Sequence, residues 1–166
     1  MPAGTPPHKT AGEDPGPEHR LAMCRALATA SDAISASALE MERAGPSYTV
    51  DTLRSIHASH LEAELTFIVG SDTAATLATW REPEAILEMA RLAVASREGA
   101  GREDVLETLE RLDCPRRQPA FLAMPQVAVS SSLIRERVAA GEPVSHLTGQ
   151  GVARYIAENG LYRTPA

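Results

Sequence analysis

The chain has 166 residues, of which 43% are hydrophobic and 23% charged, and its net charge is −6 at neutral pH. This length and composition are typical of a single globular domain with a sizeable core. The acidic balance argues against non-specific binding to nucleic acid and against an anionic membrane surface. No apolar run approaches the ~20 residues of a transmembrane helix, and no signal-peptide pattern is present. Together with two cysteines that lack disulfide or zinc spacing, this predicts a cytoplasmic protein.

Apolar periodicity and turn residues predict helices that alternate with short strands. We expect a single domain, 1–166, of the α/β class with a mainly parallel sheet. Ser47 is the expected N-cap of the second helix. The expected helices span residues 19–30, 48–60, 73–77, 102–112 and 151–159, with two more opening at 82–84 and at 133, and the expected strands span 36–42, 65–69, 92–95, 120–124 and 126–129.

Three consecutive serines, Ser130, Ser131 and Ser132, stand where a strand-like run meets a helical pattern. Hydroxyls at a helix start cap the unpaired backbone N–H groups, and the same groups attract anions. Arg135 follows in the first turn, where the helix dipole disfavours a cation unless an anion lies between them. The stretch therefore fits either a serine-capped helix with a surface arginine, which is the commoner case, or a phosphate site.

Other polar residues follow the predicted strands, at the edge where α/β sheets bind ligands. Asp72 ends the Gly-Ser-Asp turn after the second strand, where it either caps a helix or faces a ligand. Trp80 is the only tryptophan, and it serves either as a core residue or as a stacking platform for a planar ring. No group of residues has metal-ligand spacing, and no nucleophile elbow or Walker A loop is present, so we assign no metal-site residue and no nucleophile.

Seven stretches spread over nearly the whole chain carry a recognisable combination: PAGTPPHK, GPSYTVDTL, FIVGSD, TWREPEAIL, VASR, VSSSLIRERVAAGEPV and VARYIAENGLY. Jointly, and in the same order, they resemble the bacterial nicotinate-nucleotide adenylyltransferases, although no single one is decisive. Ser132 stands where the family usually has threonine, so the hydroxyl is kept. The resemblance implies a Rossmann-like nucleotidyltransferase fold and adenylyl transfer from ATP, with Mg²⁺, to nicotinate mononucleotide, a step of NAD biosynthesis that gives deamido-NAD and pyrophosphate.

The resemblance also implies roles for individual residues and a set of small-molecule partners. Arg135 would stabilise charge on the transferring phosphate, and Asp72 would contact a ribose. His8 and Lys9 would lie near the phosphate of nicotinate mononucleotide, whereas Thr49 and Trp80 would hold its ring. The implied ATP-binding residues are Gly70, Asp72, Arg97, Ser130, Ser131, Ser132, Ile134 and Arg135.

One family feature is missing from these 166 residues. The family begins with a strand that carries Gly-Gly-x-Phe-Asp-Pro-x-His-x-Gly-His, and its histidines stabilise the transferring phosphate. We therefore expect the start to lie upstream, with Met1 at a valine codon read as initiator. We also expect the 166 residues alone, N-terminally truncated in this sense, to fold poorly and to lack most of the activity.

Two other functions stay open on the sequence. One is a non-catalytic nucleotide-binding remnant of the family. The other is a related nucleotidyltransferase that uses pantetheine phosphate, although the segments around Thr49 and Trp80 argue against it. The sequence does not decide between nicotinate and nicotinamide forms of the substrate, nor does it predict an oligomeric state.

Overall fold

A computed structural model of the protein describes residues 1–4, 14–97, 101–112, 118–125 and 127–163. The chain forms two compact units, one made of Met1–Ser47 with Ala128–Ala166 and the other of Tyr48–Val127. Assignment of the whole chain to one domain stays a prediction. In chain order the elements are α1 (Pro17–Ala28), α2 (Thr49–Ser59), β1 (Leu65–Gly70), α3 (Ser71–Ala74), a 3₁₀ turn (Leu77–Thr79), α4 (Pro83–Met89), β2 (Ala90–Arg97), α5 (Arg102–Arg111), β3 (Ala120–Met124), α6 (Ser131–Ala139), α7 (Ser145–Thr148) and α8 (Gln150–Glu158).

The unit Tyr48–Val127 is built on a parallel sheet whose described strands have the order β1-β2-β3. Leu65 pairs with Ala90 across β1 and β2, and Ala93 pairs with Ala120 across β2 and β3. Helices follow β1 and β2 in the chain, as the connection of neighbouring parallel strands requires. The predicted α/β class with a parallel sheet is therefore confirmed.

The core of this unit lies on one face of the sheet. Val94 of the central strand is fully buried, and Ile86 and Leu77 are 1% exposed. Each such side chain contributes about 1.5–3 kcal/mol by leaving water. On the other face, Ile68 of β1 stays 64% exposed. The sheet is thus held mainly by the helices packed on the core face.

In the other unit, α1 and α8 pack against each other. Leu21 of α1 and Ile156 of α8 are buried. A Cβ atom at Gly151 would lie 3.0 Å from the carbonyl oxygen of Ala26, so the close approach of the two helices suits a glycine. None of the described helices is long and apolar enough to cross a membrane.

Two predicted strands are absent from the described residues. Residues 36–42 form turns instead, in which the Met41 N–H donates to the Ala38 carbonyl at 2.7 Å and the Leu39 N–H to Ser37 Oγ at 3.2 Å. Local bonds of this kind satisfy the backbone without a partner strand. Residues 127–129 are irregular as well, and residue 126 lies outside the described residues. The strand predictions for 36–42 and 127–129 are therefore wrong.

The helix predictions are largely confirmed, with two corrections. Tyr48, not Ser47, is the N-cap of α2, because Ser47 Oγ accepts a hydrogen bond from the Gly4 N–H at 3.0 Å instead. The helix predicted over residues 73–77 is shorter and earlier, at α3, and is followed by the 3₁₀ turn. The short helix α7 has no counterpart among the predictions.

Candidate functional site

The strands β1 and β2 bring three of the predicted ATP-binding residues to one edge of the sheet. Gly70 ends β1 and pairs with Ala95, and Arg97 ends β2 two residues further on. Asp72 lies in the first turn of α3, directly after β1. Because the carboxyl ends of parallel strands share an edge, all three belong to the edge where open α/β sheets bind ligands.

Asp72 does not cap the helix that it begins. The N-cap of α3 is Gly70, and no side chain bonds to the exposed N–H groups there. The Asp72 side chain is exposed. The capping alternative for this carboxylate is therefore wrong, and its negative charge remains available at the sheet edge.

Neither the backbone conformation nor the packing of the described residues requires a glycine at position 70. Its φ of −69° and ψ of 152° suit any residue. A Cβ atom built on it would have no heavy atom within 4 Å. A glycine in a strand marks a bulge, a tight bend or a place of close approach, and the open space beside Gly70 suits close approach by a ligand.

The N-terminus of α6 carries the serine stretch in the arrangement that an anion site requires. Ser130 is the N-cap, and its Oγ accepts from the Leu133 N–H at 3.1 Å. The N–H of Ile134 donates to the Ser130 carbonyl at 3.1 Å. Among the described residues the N–H groups of Ser131 and Ser132 have no acceptor, so they remain available to an anion at the positive end of the helix dipole.

Arg135 folds back towards this helix start. Its Nη2 donates to Ser132 Oγ at 3.2 Å, and the side chain is half-buried. Burial raises the pKa of the nearby Tyr162 phenol, and the positive charge of Arg135 opposes that shift. The guanidinium therefore lies beside the serine hydroxyls rather than extended into solvent. Ile134 is half-buried on the same helix.

Trp80 is neither a full core residue nor a free surface ring. The indole Nε1–H donates to Thr76 Oγ1 at 3.1 Å. Its ring meets the Phe67 ring edge to face, with centroids 6.0 Å apart and planes at 65°. The side chain is half-buried and packs at the margin of the core. The ring therefore packs partly in the core, and the rest of it remains open to a ligand, so the stacking interpretation stays possible alongside the core one.

Thr49 and Trp80, the two residues predicted to hold the nicotinate ring, lie on segments that contact each other. Thr49 is the first residue of α2. The Arg81 guanidinium lies over the ring of Tyr48, with Cζ 4.9 Å from the centroid. The chain neighbours of Thr49 and Trp80 are thus in direct contact within one unit.

An exposed ion-pair network ties the same two segments together, and sequence reasoning missed it. Arg54 of α2 donates to both carboxylate oxygens of Glu82, at 3.2 and 2.5 Å. Asp51 lies 3.5 Å from Arg54 and 3.9 Å from Arg81. The hydrogen bond from Arg54 holds the pKa of Glu82 below its ordinary value, and Glu82 raises the pKa of Arg54. Two of the four residues are acidic and two are basic, and the pairs Arg54–Glu82 and Arg81–Asp51 form because α2 packs against α4.

The remaining predicted residues are placed as follows. His8 and Lys9 lie outside the described residues, and of Arg97 only the backbone is described. The structure brings Gly70, Asp72, Thr49 and Trp80 into the unit Tyr48–Val127, and it places Ser130–Arg135 in the other unit. Within the described residues, no three His, Cys, Asp or Glu side chains cluster as metal ligands.

A parallel α/β sheet and an anion-ready helix start are features of nucleotide-binding α/β proteins, and comparison with known proteins identifies the class as the nucleotidyltransferases. Residues 1–137 match the family model described as Cytidylyltransferase-like. The chain is also 37% identical over 164 residues to the probable nicotinate-nucleotide adenylyltransferase of Tropheryma whipplei strain TW08/27, with 99% of this chain and 82% of that protein covered. The protein of the same name from Desulfitobacterium hafniense strain Y51 is 38% identical, with 98% of this chain and 79% of that protein covered. The chain belongs to the nicotinate-nucleotide adenylyltransferase family.

Solved structures support the fold. The nicotinic acid mononucleotide adenylyltransferase of Plasmodium falciparum complexed with NaAD aligns with a TM-score of 0.64 and 18% identity, over 96% of this chain and 78% of that one. The same enzyme complexed with APC aligns with a TM-score of 0.62, over 89% and 76% of the two chains. The predicted Rossmann-like nucleotidyltransferase fold is confirmed.

Proposed function

We propose that this protein transfers the adenylyl group of ATP to nicotinate mononucleotide, giving deamido-NAD and pyrophosphate in NAD biosynthesis. Family membership supports the reaction, and the N-terminus of α6 is the structural observation that carries it. There the serine hydroxyls, the available N–H groups of Ser131 and Ser132, and the Arg135 guanidinium all favour bound phosphate.

In this proposal the polyphosphate of ATP binds at Ser130–Arg135. Gly70, Asp72 and Arg97 serve the nucleoside part, with the exposed Asp72 carboxylate accepting hydrogen bonds from the ribose hydroxyls. The open space in front of Gly70 supports close approach of the nucleotide to the backbone. The assignment of Arg97 to the ATP site is supported by the family resemblance and by its position at the end of β2.

The nicotinate ring stacks on the exposed part of Trp80, with Thr49 beside it. The contact between Arg81 and Tyr48, one residue along the chain from each, supports a common site for the two. His8 and Lys9 are assigned to the phosphate of the mononucleotide. The assignments of His8 and Lys9 rest on the family resemblance.

The chemistry needs no covalent intermediate on the protein. The 5′-phosphate oxygen of nicotinate mononucleotide attacks the α-phosphorus of ATP, the bond from that phosphorus to the bridging oxygen breaks, and pyrophosphate leaves with the electron pair. Positioning and charge stabilisation dominate such transfers. Arg135 stabilises the growing negative charge as a permanently charged donor.

Mg²⁺ is assigned to the phosphates of ATP rather than to a protein cage. The described residues contain no three-ligand cluster, and Mg²⁺ at nucleotide sites is held largely by phosphate oxygens and water. The ion would neutralise charge on the leaving pyrophosphate. We place the enzyme in the cytoplasm with small-molecule substrates, and without nucleic acid or membrane as a partner.

The deciding experiment measures pyrophosphate release from ATP with nicotinate mononucleotide and, separately, with nicotinamide mononucleotide. The 166-residue chain is assayed beside a version extended upstream in the same reading frame. We expect release that depends on nicotinate mononucleotide. Binding of both substrates without release in either form would contradict the proposal and favour a non-catalytic nucleotide-binding protein.

A further inference from the structure

The side chain that fixes the ring of Trp80 is Thr76. It stands just before the 3₁₀ turn, four residues ahead of the tryptophan, with φ −92° and ψ 1°. Its Oγ1 donates to the Thr73 carbonyl at 2.8 Å. That bond uses the only hydroxyl proton, so the oxygen presents its lone pairs to the indole Nε1–H, which lies 3.1 Å away.

Three contacts restrain the position of the Trp80 side chain. Thr76 holds the nitrogen end of the indole, and Phe67 of β1 meets the ring edge to face. The backbone N–H of Trp80 donates to the Leu77 carbonyl at 3.0 Å, which fixes the backbone at this residue. Backbone, ring edge and ring nitrogen are thus held at separate points, and among the described residues only Thr76 makes a directional bond to the indole ring.

We propose that Thr76 is a positioning residue for nicotinate mononucleotide, because it orients the Trp80 ring through the hydrogen bond from the indole N–H to its hydroxyl. This inference rests on the proposed stacking of the nicotinate ring on Trp80. Thr76 itself touches no substrate. Its contribution is to order the ring before binding, so that this ordering does not oppose ligand association.

The Thr76→Val variant keeps the shape of the side chain and removes the hydroxyl, and Thr76→Ser restores it. Because Trp80 is the only tryptophan, its fluorescence reports on this ring alone. In the free protein we expect Thr76→Val to lower the anisotropy of Trp80 and to speed its quenching by acrylamide. We expect Thr76→Ser to match the wild type in both measurements.

Calorimetric titration with nicotinate mononucleotide should give a Kd raised roughly three- to tenfold in Thr76→Val, the effect of one lost hydrogen bond, with the Kd for ATP unchanged. The matched control is Thr79→Val. Thr79 makes an equivalent bond, from its Oγ1 to the Thr76 carbonyl at 2.8 Å, in the same turn and without contact to the indole nitrogen. It should leave fluorescence and both Kd values as in the wild type.

A double variant separates orientation from general stability. In Trp80→Phe the stacking ring remains but the N–H is gone, so adding Thr76→Val should cause no further loss of mononucleotide affinity. Equal losses from Thr76→Val in both backgrounds would overturn the positioning role, as would unchanged anisotropy in the single variant. If the wild type and Trp80→Ala bound nicotinate mononucleotide equally, the proposed stacking would fail, whereas the free-protein fluorescence would still decide whether Thr76 orders the ring.

Discussion

At the scale of single residues, Arg135 places a positive charge near the N-terminus of α6, where the helix dipole disfavours a cation. Its guanidinium turns back to Ser132 Oγ instead of lying along the helix. Two positive features, the helix start and the guanidinium, therefore face the same hydroxyls. A phosphate would relieve the repulsion between them, which is the physical reason to assign ATP to this place.

Replacing Arg135 by alanine should lower kcat/KM for ATP roughly 10- to 100-fold, because one charge-assisted hydrogen bond to the phosphates is lost. KM for nicotinate mononucleotide should stay within a factor of two or so by the same reasoning. Steady-state pyrophosphate release measures both. Arg137→Ala is the control: Arg137 lies on the same helix as Arg135 but pairs with Glu142, beyond the helix end, at 2.8 Å, so its loss should leave ATP kinetics unchanged. Unaltered ATP kinetics in Arg135→Ala would remove the phosphate role.

Gly70 allows a test in which stability and binding should move apart. Alanine fits the observed φ and ψ and meets no atom within 4 Å. The free energy of unfolding of Gly70→Ala should therefore equal that of the wild type or exceed it, by up to about 1 kcal/mol. The added methyl group should weaken ATP binding if the nucleotide packs on this backbone. Urea unfolding and titration with ATP measure the two effects, and wild-type affinity for ATP in the variant would exclude close approach at this residue.

At the scale of elements, the start of α4 is held in an unusual conformation by its partner α2. Glu82 has φ 51° and ψ 59°, in the left-handed region that residues other than glycine rarely adopt. Both of its carboxylate oxygens accept from Arg54 of α2. The bidentate contact gives a reason for the conformation, because it anchors the turn that follows Trp80 to the helix that begins at Thr49.

The pH dependence of stability should report this contact. The hydrogen bond from Arg54 lowers the pKa of Glu82 below its ordinary value of 4.5. A lowered carboxyl pKa means that the contribution is fully present above pH 4.5 and is lost as the pH falls through the folded pKa below that value. The difference in urea midpoint between wild type and Glu82→Gln should thus be positive near neutral pH and vanish in acid. Arg54→Gln should also lose stability near neutral pH, and its loss includes the contact with Asp51. The double variant should lose less than the sum of the two single losses, whereas additive losses would show that the pair is not the cause.

The elements that the sequence predicted well are those whose signal is local. The run Leu65–Gly70 is apolar and β-branched, ends in glycine, and forms β1 as expected. The extended pattern over residues 36–42 failed because a strand exists only with a partner, and here serine side chains and a turn satisfy the backbone instead. Ser47 failed as a cap for a similar reason, since Gly4, distant in sequence, occupies its hydroxyl. Contacts between residues that are distant in sequence cannot be predicted from a local sequence pattern.

The same limit applies to the candidate site. Candidate residues that are marked by their type and local position, such as Ser130 at a helix start and Asp72 after a strand, were open to prediction from the sequence. Residues that act through a neighbour were not. Thr76 was expected inside a helix, and its role depends on α3 ending early so that a 3₁₀ turn brings the indole nitrogen to its hydroxyl.

At the scale of the whole molecule, the prediction of a single domain has a direct test, because Trp80 lies in only one of the two compact units. Ile156 of the other unit is 3% exposed, and Ile156→Ala should cost about 2–5 kcal/mol of unfolding free energy. If the chain unfolds as one cooperative domain, this variant must shift the urea transition seen by Trp80 fluorescence as much as the one seen by far-ultraviolet circular dichroism. Ile86→Ala, in the unit of Trp80, should shift both in the same way, whereas Ile34→Ala, at a residue 56% exposed, should change stability by no more than about 0.5 kcal/mol. A fluorescence transition that Ile156→Ala leaves in place would mean that the two units unfold independently and that the chain has two domains.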